Sequence, residues 1–258
     1  MKNAPEYDPA HFFIKLVLFS NYPLRSWGFI PFIARKMTAV GGQVVACEPK
    51  RCVKMILFYM PGACSLSTHI SLLETGEQFR LVKVNHKTLK TEHGENFLSI
   101  SPDGRIPVLK LPTDDVITDC VGTLHYIADH FWQSGVSPAP DSAERARLNA
   151  FLTRIEHELH AQFSLLQQKR TTPDLRDAVI TRLSDEFEKY EKLFSDGRHY
   201  LMGRQFSVAD AYLLVAINWA GMIGINTFRW PHIGDFGDRM RGRTSVLAAL
   251  RAEGLLVD

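Results

Sequence analysis

The sequence predicts an α/β domain followed by an all-helical domain, and three observations along the 258-residue chain support this fold class. Residues 55–133 show a strand, a helix and a strand, and then two short strands and a second helix. Residues 134–141 are rich in proline and glycine and predict a linker. From 142 to 258 the apolar residues recur at helical spacing. A crossover followed by a hairpin predicts one mixed sheet covered by helices.

Composition limits the class of protein. A chain of this length can bury a large core and most naturally forms two compact domains. The four cysteines, Cys47, Cys52, Cys64 and Cys120, are scattered and form no CxxC pair, which favours a cytoplasmic protein without a disulfide scaffold or a metal site. Residues 55–258 hold 22 Lys and Arg against 25 Asp and Glu, so their net charge of −3 does not support nucleic-acid binding.

Residues 1–54 differ from the rest of the chain, because they hold eight Lys and Arg against three Asp and Glu, a net charge of +5. Their apolar clusters, 11–19 and 27–34, are too short to span a membrane and show no regular periodicity. We expect an irregular extension or one outside the fold. It is either a basic appendage that contacts a membrane surface or a partner, or a stretch upstream of the true start. The abrupt start of the folded pattern at Met55 favours the second alternative.

The first predicted strand and helix place a cysteine between them. Residues 55–59 are apolar, Pro61 and Gly62 end the strand, and an apolar stripe at helical spacing then runs until Gly76. Cys64 is therefore expected at a helix N-terminus, where free amides and the helix dipole stabilise a thiolate, its own or that of a ligand. The alternative is a small cysteine that simply packs.

The remaining elements of the α/β domain follow from alternation and turn residues. We expect a strand over 79–84, a polar loop, a strand over 106–111, a turn at 113–115, a short strand at 116–117 and a helix ending at Phe131. Pro107 opens its strand, where its missing N–H is tolerated. The Ile106–Pro107 bond could be cis or trans.

The second domain shows helical signals throughout. Pro173 is expected near the start of a helix, and Ser207 with Asp210 predicts a capping box that anchors a buried helix rather than a catalytic pair. Trp219 and Met222 lie on or just after that helix, where they serve the core or line a pocket. A first helix carries one apolar stripe, made of Leu148, Phe151, Leu152, Ile155 and Leu159.

From Met55 onward, about four-fifths of the chain resembles the cytosolic glutathione transferases, and most closely the bacterial beta class. The resemblance implies a thioredoxin-like N-terminal domain that holds glutathione, a helical C-terminal domain that supplies most of the electrophile pocket, and a homodimer. The stretches that carry it, in chain order, are FYMPGACSLSTHI, SPDGRIPVLKLP, ITDCVGTLHYIADH, ELHAQF and GRQFSVADAYLL.

The resemblance also implies roles for single residues. Cys64 aligns with the cysteine beside the glutathione sulfur, which can form a mixed disulfide with it. Ile106 aligns with the residue whose backbone pairs with the cysteinyl part of glutathione, as in strand addition, and Pro107 with the cis proline after it. His160 aligns with a histidine near the sulfur, although an interfacial histidine is the alternative. A metal pair of His157 and His160 lacks further ligands.

By the same resemblance Asp119 and Cys120 hold the γ-glutamyl end of glutathione. Asp119 would neutralise its ammonium, and the amide of Cys120 would bind its carboxylate at a helix N-terminus. The thiol of Cys120 is either activated there or only a small filler. No disulfide between Cys64 and Cys120 is expected, since it would require Cα atoms within about 7 Å.

Three positions depart from the beta-class pattern. Cys120 replaces a glycine or serine, while Leu89 and Ala161 each replace a lysine, although Lys87 and Lys90 could substitute. We therefore expect weaker glutathione binding or a changed thiol partner. The leading hypothesis is a glutathione transferase that conjugates glutathione to hydrophobic electrophiles, with thiol-disulfide exchange through Cys64. The alternative is a glutathione-binding or interaction protein without turnover.

Overall fold

The computed structural model describes residues 54–168 and 171–256, so the expectations for residues 1–53 lie outside the described part. A five-stranded mixed sheet forms the first half. Its strands are β1 (Met55–Tyr59), β2 (Phe79–Asn85), β3 (Lys90–Thr91), β4 (Val108–Lys110) and β5 (Val116–Thr118).

The strand order is β3-β2-β1-β4-β5, with β1 in the centre. β1 runs parallel to β2 and antiparallel to β4, so that Leu57 lies opposite Leu81 on one side and Leu109 on the other. Leu57 and its neighbour Phe58 point to opposite faces and are both buried, which is why β1 is apolar along its length. The predicted mixed sheet is confirmed.

Two sequence predictions for the sheet need correction. The strand expected over 106–111 is shorter and begins at Val108, because Pro107 has no N–H to donate to a ladder and forms a cis bond with Ile106. The loop expected after β2 contains β3, which pairs with the end of β2. β3 has only two residues and one of them is an exposed lysine, so its sequence shows no apolar alternation that would predict a strand.

Two helices of the first half begin at the same edge of the sheet. Helix α1 (Ser65–Thr75) has Cys64 at its N-cap and ends at Gly76, whose φ of 75° suits glycine. Helix α2 (Cys120–His130) has Asp119 at its N-cap. The predicted positions of both helices are confirmed to within one residue.

The second half is helical. Its helices are α3 (Ala143–Arg154), α4 (Ala161–Leu166), α5 (Pro173–Phe194), α6 (Val208–Met222), α7 (Pro231–Arg241) and α8 (Thr244–Ala252). A π-helical turn, Ile155–His160, joins α3 to α4. Pro173 is the first residue of α5, as predicted, and Thr172 caps it by accepting a hydrogen bond from the amide of Leu175.

Helix α6 is the centre of the helical half and is buried along most of its length. The predicted capping box is present at its start: the amide and hydroxyl of Ser207 both donate to Oδ2 of Asp210, at 2.7 Å each. Oδ1 of Asp210 accepts from the amide of Leu201 at 2.7 Å. Asp210 is fully buried and therefore fixes the loop before α6 as well as the helix start.

The two halves share one continuous core, because α1 packs on both α6 and α8. The segment 134–141 between the halves also packs: Val136 is buried, and its carbonyl accepts from the amide of Val208 at 2.9 Å. No helix in the described ranges is long and apolar enough to cross a membrane.

Candidate functional site

Cys64 lies where β1 turns into α1, at the helix N-cap that its sequence context predicted. Its side chain is 7% exposed. The thiol donates a hydrogen bond to the carbonyl oxygen of Ile106, with Sγ and O 3.3 Å apart. The sulfur therefore faces the short segment that leads into β4.

The segment beside Cys64 contains a cis peptide bond between Ile106 and Pro107, which settles the isomer that the sequence left open. Pro107 is buried, whereas Ile106 remains half-buried at the sheet edge. The backbone of Ile106 precedes β4, so its polar groups are placed to pair with an added extended segment rather than with a strand of the sheet.

The N-terminus of α2 forms the other side of this edge. Asp119 is exposed, and its Oδ1 accepts a hydrogen bond from the amide of Gly122 at 2.8 Å. Its φ of 62° is unusual for a residue other than glycine, and such backbone conformations cluster at functional sites. Cys120 follows as the first residue of α2 and is only 3% exposed.

The two cysteines meet through Ser67, which the sequence analysis did not single out. Ser67 donates from Oγ to the carbonyl oxygen of Cys64 at 2.6 Å, and the same Oγ lies 3.2 Å from the sulfur of Cys120. The Cys120 sulfur is also 3.6 Å from the carbonyl oxygen of Cys64. Both thiols are free.

The pKa values of the two thiols are shifted in opposite directions. A hydrogen bond from the Cys120 thiol lowers the pKa of Cys64, and the charge of His160 lowers it further, which together outweigh the effect of burial. Burial raises the pKa of Cys120 well above its ordinary value, and the neighbouring Cys64 raises it again. The two shifts therefore favour a thiolate at Cys64 over a thiolate at Cys120.

His160 approaches this pair from the π-helical turn. Its Nδ1 lies 2.6 Å from Oη of Tyr212 and 3.2 Å from Oε2 of Glu156, and Tyr212 also donates to that carboxylate oxygen. Burial lowers the pKa of His160, but the hydrogen bond to Glu156 and the charges of Cys64 and Glu156 more than offset this and leave the pKa raised. The imidazolium form is therefore favoured near a thiolate.

The loop before Cys64 is held from two distant parts of the chain. The indole N–H of Trp219 donates to the carbonyl oxygen of Gly62 at 3.0 Å, and the amide of Gly62 donates to Oε2 of Glu253 at 2.8 Å. The other oxygen of Glu253 lies 2.9 Å from Nδ1 of the buried His69. The ring of Trp219 also contacts that of His160, with centroids 5.1 Å apart.

The structure thus brings together the predicted residues Cys64, Ile106, Pro107, Cys120 and His160, with Asp119 adjoining them through α2. Sequence reasoning missed four residues that hold these in place: Ser67, Glu156, Tyr212 and Glu253. Two of them carried a local signal: Glu156 precedes His160 by four residues on a helical segment, and Ser67 follows Cys64 by three residues at a helix start. The contact between Tyr212 and Glu156 spans 56 residues and has none.

The other residues weighed from the sequence lie around this site. Leu89 is half-buried with a φ of 50°, and its side chain lies near Gly104. Ala161 follows His160 and is exposed, as are Lys87 and Lys90. His157 is also exposed. Within residues 54–168 and 171–256 no group of three His, Cys, Asp or Glu could hold a metal ion.

Comparisons with known proteins agree with this architecture. The family profile "Glutathione S-transferase, C-terminal domain" matches residues 155–243. The glutathione S-transferase GstA of Escherichia coli O157:H7 is 34% identical over 201 residues, which is 78% of this chain and 100% of that protein. The glutathione S-transferase GST-4.5 of Xanthomonas campestris pv. campestris is 32% identical over 208 residues, or 78% and 100%.

Solved structures of glutathione S-transferases resemble this chain in both sequence and fold. A sphingomonad glutathione S-transferase complexed with glutathione is 38% identical, has a TM-score of 0.74, and covers 78% of this chain and 99% of its own. The bacterial beta-class enzyme of Sphingomonas chungbukensis is 37% identical, also with a TM-score of 0.74, and covers 78% and 100%. The two bacterial relatives named above align along their full length, and the fold is a thioredoxin-like domain followed by a helical domain. The chain belongs to the glutathione S-transferase family.

Proposed function

We propose that the protein binds reduced glutathione beside Cys64 and conjugates it, through its sulfur, to hydrophobic electrophiles. The observation that carries this proposal is the meeting of three features at one sheet edge: the Cys64 thiol, the backbone of Ile106 and the N-terminus of α2. A sphingomonad relative has been solved with glutathione bound, which supports the choice of ligand.

Each part of glutathione has a chemical counterpart here. Its cysteinyl segment would pair with the backbone of Ile106 and displace the hydrogen bond that the Cys64 thiol now makes to that carbonyl. Its γ-glutamyl carboxylate would bind the amides at the start of α2. Its ammonium would bind Oδ2 of Asp119, because Oδ1 already caps the helix.

The reactive sulfur would then lie between Cys64 and His160. The imidazolium of His160 and the N-terminus of α1 both stabilise negative charge, so the thiol of glutathione would lose its proton more readily there. The thiolate attacks an electrophilic carbon, a C–S bond forms, and the leaving group departs with its electron pair. The rate comes from this thiolate stabilisation and from proximity.

The same site suits thiol-disulfide exchange. The Cys64 thiolate would attack a disulfide that contains glutathione, form a mixed disulfide and release the other thiol. A second glutathione thiolate would then attack the mixed disulfide and restore Cys64. We further propose a cytoplasmic homodimer with a glutathione-binding domain over residues 55–133 and a helical domain over 142–258. Sedimentation of the pure protein tests the dimer.

A pair of assays tests the activity. Wild-type protein should conjugate glutathione to an activated aryl halide or reduce hydroxyethyl disulfide with glutathione, and Cys64→Ser should lose the exchange reaction. His160→Gln should lower conjugation, whereas His157→Gln, on the same turn but exposed, should not. No activity in either assay would contradict the enzyme proposal.

The alternative function is that of a glutathione-binding or interaction protein without turnover. It is motivated by Leu89, Cys120 and Ala161, because the two lysines and the hydroxyl that these residues replace would have helped to hold the anionic tripeptide. Calorimetric titration with glutathione separates the two. Tight binding with no conjugation and no exchange would support the alternative, and binding together with turnover would exclude it.

A further inference from the structure

The site contains two thiols where the proposed exchange chemistry needs only one. Cys64 and Cys120 stand at the N-termini of α1 and α2, on separate elements 56 residues apart, and their side chains interact. We propose that Cys120 is a resolving thiol, which attacks the mixed disulfide at Cys64, releases glutathione and leaves a Cys64–Cys120 disulfide. This inference rests on the exchange reaction proposed above. It reverses the expectation from the sequence that these two cysteines form no disulfide, because the sulfur of Cys120 reaches the backbone of Cys64.

The sulfur of Cys120 is in contact with the backbone of Cys64. The sulfur of Cys120 lies 3.6 Å from the Cys64 carbonyl oxygen, and Ser67 touches both residues. Cys120 is 3% exposed and Cys64 is 7% exposed, so a second molecule of glutathione cannot reach the sulfur of Cys120 directly. Cys120 would attack from the interior, and glutathione would leave on the side of Ile106.

The charge on Cys64 determines when Cys120 can react. While Cys64 is a thiolate, it accepts the hydrogen bond of Cys120 and its charge opposes a second thiolate, which together with burial keeps the pKa of Cys120 high. A mixed disulfide at Cys64 carries no charge, so both of these effects of Cys64 disappear. Burial still raises the pKa of Cys120, whereas the N-terminus of α2 favours its thiolate, as does the Ser67 hydroxyl once it turns from the Cys64 carbonyl to the Cys120 sulfur.

The only oxidant that this step needs is the disulfide substrate. The Cys120 thiol gives up its proton as its sulfur attacks the sulfur of Cys64. The S–S bond to glutathione breaks, and the departing glutathione thiolate takes the electron pair and a proton. The new Cys64–Cys120 bond is later reduced by two molecules of glutathione, which leave as glutathione disulfide.

A mass-spectrometric time course tests the inference. The full chain with Cys47→Ser and Cys52→Ser, which removes the other two cysteines, is treated with glutathione disulfide and quenched with acid at intervals. We expect a transient glutathionyl adduct at Cys64, which gives way to a species without adduct that lacks two hydrogen atoms. Peptide mapping should join Cys64 to Cys120.

The matched variants are Cys120→Ser and Cys120→Ala in the same background. Both should form the adduct at Cys64 and keep it about tenfold longer than the parent, with no internal disulfide. If the adduct lasts equally long in both variants, the longer lifetime comes from loss of the thiol and not from disturbed packing. Circular dichroism should show that each variant is folded.

Two results would overturn the inference, and they are distinguishable. If the parent keeps a stable adduct at Cys64 with Cys120 still alkylatable, the resolving role is wrong while the exchange proposal stands. If neither the parent nor the Cys120 variants acquire an adduct at Cys64, the exchange proposal fails and the resolving role fails with it.

Discussion

At the scale of single residues, His160 owes its orientation to Glu156 and Tyr212, and its raised pKa to Glu156 and Cys64. Glu156 and Tyr212 both engage Nδ1, which leaves Nε2 as the nitrogen that can face a ligand. A carboxylate on one ring nitrogen fixes the orientation of the imidazole and favours its protonated form. Glu156 is thereby a positioning residue in the proposed reaction.

The acidity of Cys64 should depend on His160. In His160→Gln the positive charge that lowers the pKa of Cys64 is lost, so the pKa of Cys64 should rise. We expect alkylation of Cys64 by iodoacetamide near neutral pH to slow several-fold, with the midpoint of its pH profile moved upward. His157→Gln is the control and should match wild type. An unchanged profile in His160→Gln would contradict the coupling.

Glu156 should set the pKa of His160. Glu156→Gln removes a charge and a hydrogen bond that raise this pKa, so the ring should titrate at lower pH, as followed by its NMR resonances. Because the folded pKa of His160 is the higher one, its charged form stabilises the fold fully below pH about 6.5, as long as Glu156 stays ionised, and this effect is lost as pH rises through the folded pKa. The control is Glu158→Gln, an exposed neighbour. Equal titration in the two variants would rule out this role.

At the scale of elements, the π-helical turn Ile155–His160 is the segment that carries both Glu156 and His160. A π-helical turn is wider than an α-helical one and such turns occur often at functional sites. It also divides what would otherwise be one long helix into α3 and α4. The turn therefore belongs to the site rather than to the core alone.

The capping box should be the strongest polar anchor of α6. Asp210→Ala leaves the buried donors of Leu201 and Ser207 without their acceptor, and we expect a loss of about 3 kcal/mol in the free energy of unfolding by urea. Asp238→Ala on α7 is the control: its side chain is 79% exposed, and it should cost about 0.5 kcal/mol or less. Similar losses for both variants would refute the assignment.

Local signals in the sequence predicted most elements but not the irregular ones. Cys64 was placed at a helix N-cap because strand, turn and helix signals follow each other within a few residues. The π-helical turn was missed because the apolar residues Leu152, Ile155 and Leu159 keep a helical spacing through it. The approach of Tyr212 to His160 was not predictable, since 52 residues separate them and no periodicity spans that distance.

At the scale of the whole molecule, the peptide of Gly62 is held on both sides by the helical half. Trp219 on α6 donates a hydrogen bond to the carbonyl oxygen of Gly62, and Glu253, next to α8, accepts one from the amide of Gly62. Glu253 is 5% exposed, and burial raises its pKa although its hydrogen bonds oppose this. The turn that presents Cys64 is therefore fixed by residues from the other domain.

Glu253 should stabilise the fold and keep the Cys64 loop closed. Glu253→Ala leaves the amide of Gly62 and the ring of His69 unpartnered, and we expect it to cost about 3 kcal/mol in urea unfolding and to speed hydrogen exchange at Gly62. Glu253→Gln keeps an acceptor of the same length and should recover part of this loss. Equal behaviour of the two variants would mean that the contact is not what holds the loop.

The bond between Gly62 and Glu253 also constrains the order of events during translation. The two residues are 191 positions apart, so the sheet and α1 leave the ribosome long before their partner is made. The nascent first half can form its strands, but the loop before Cys64 lacks its last support until residue 253 emerges. The nucleophilic sulfur is thus held in its final geometry only at a late stage of synthesis.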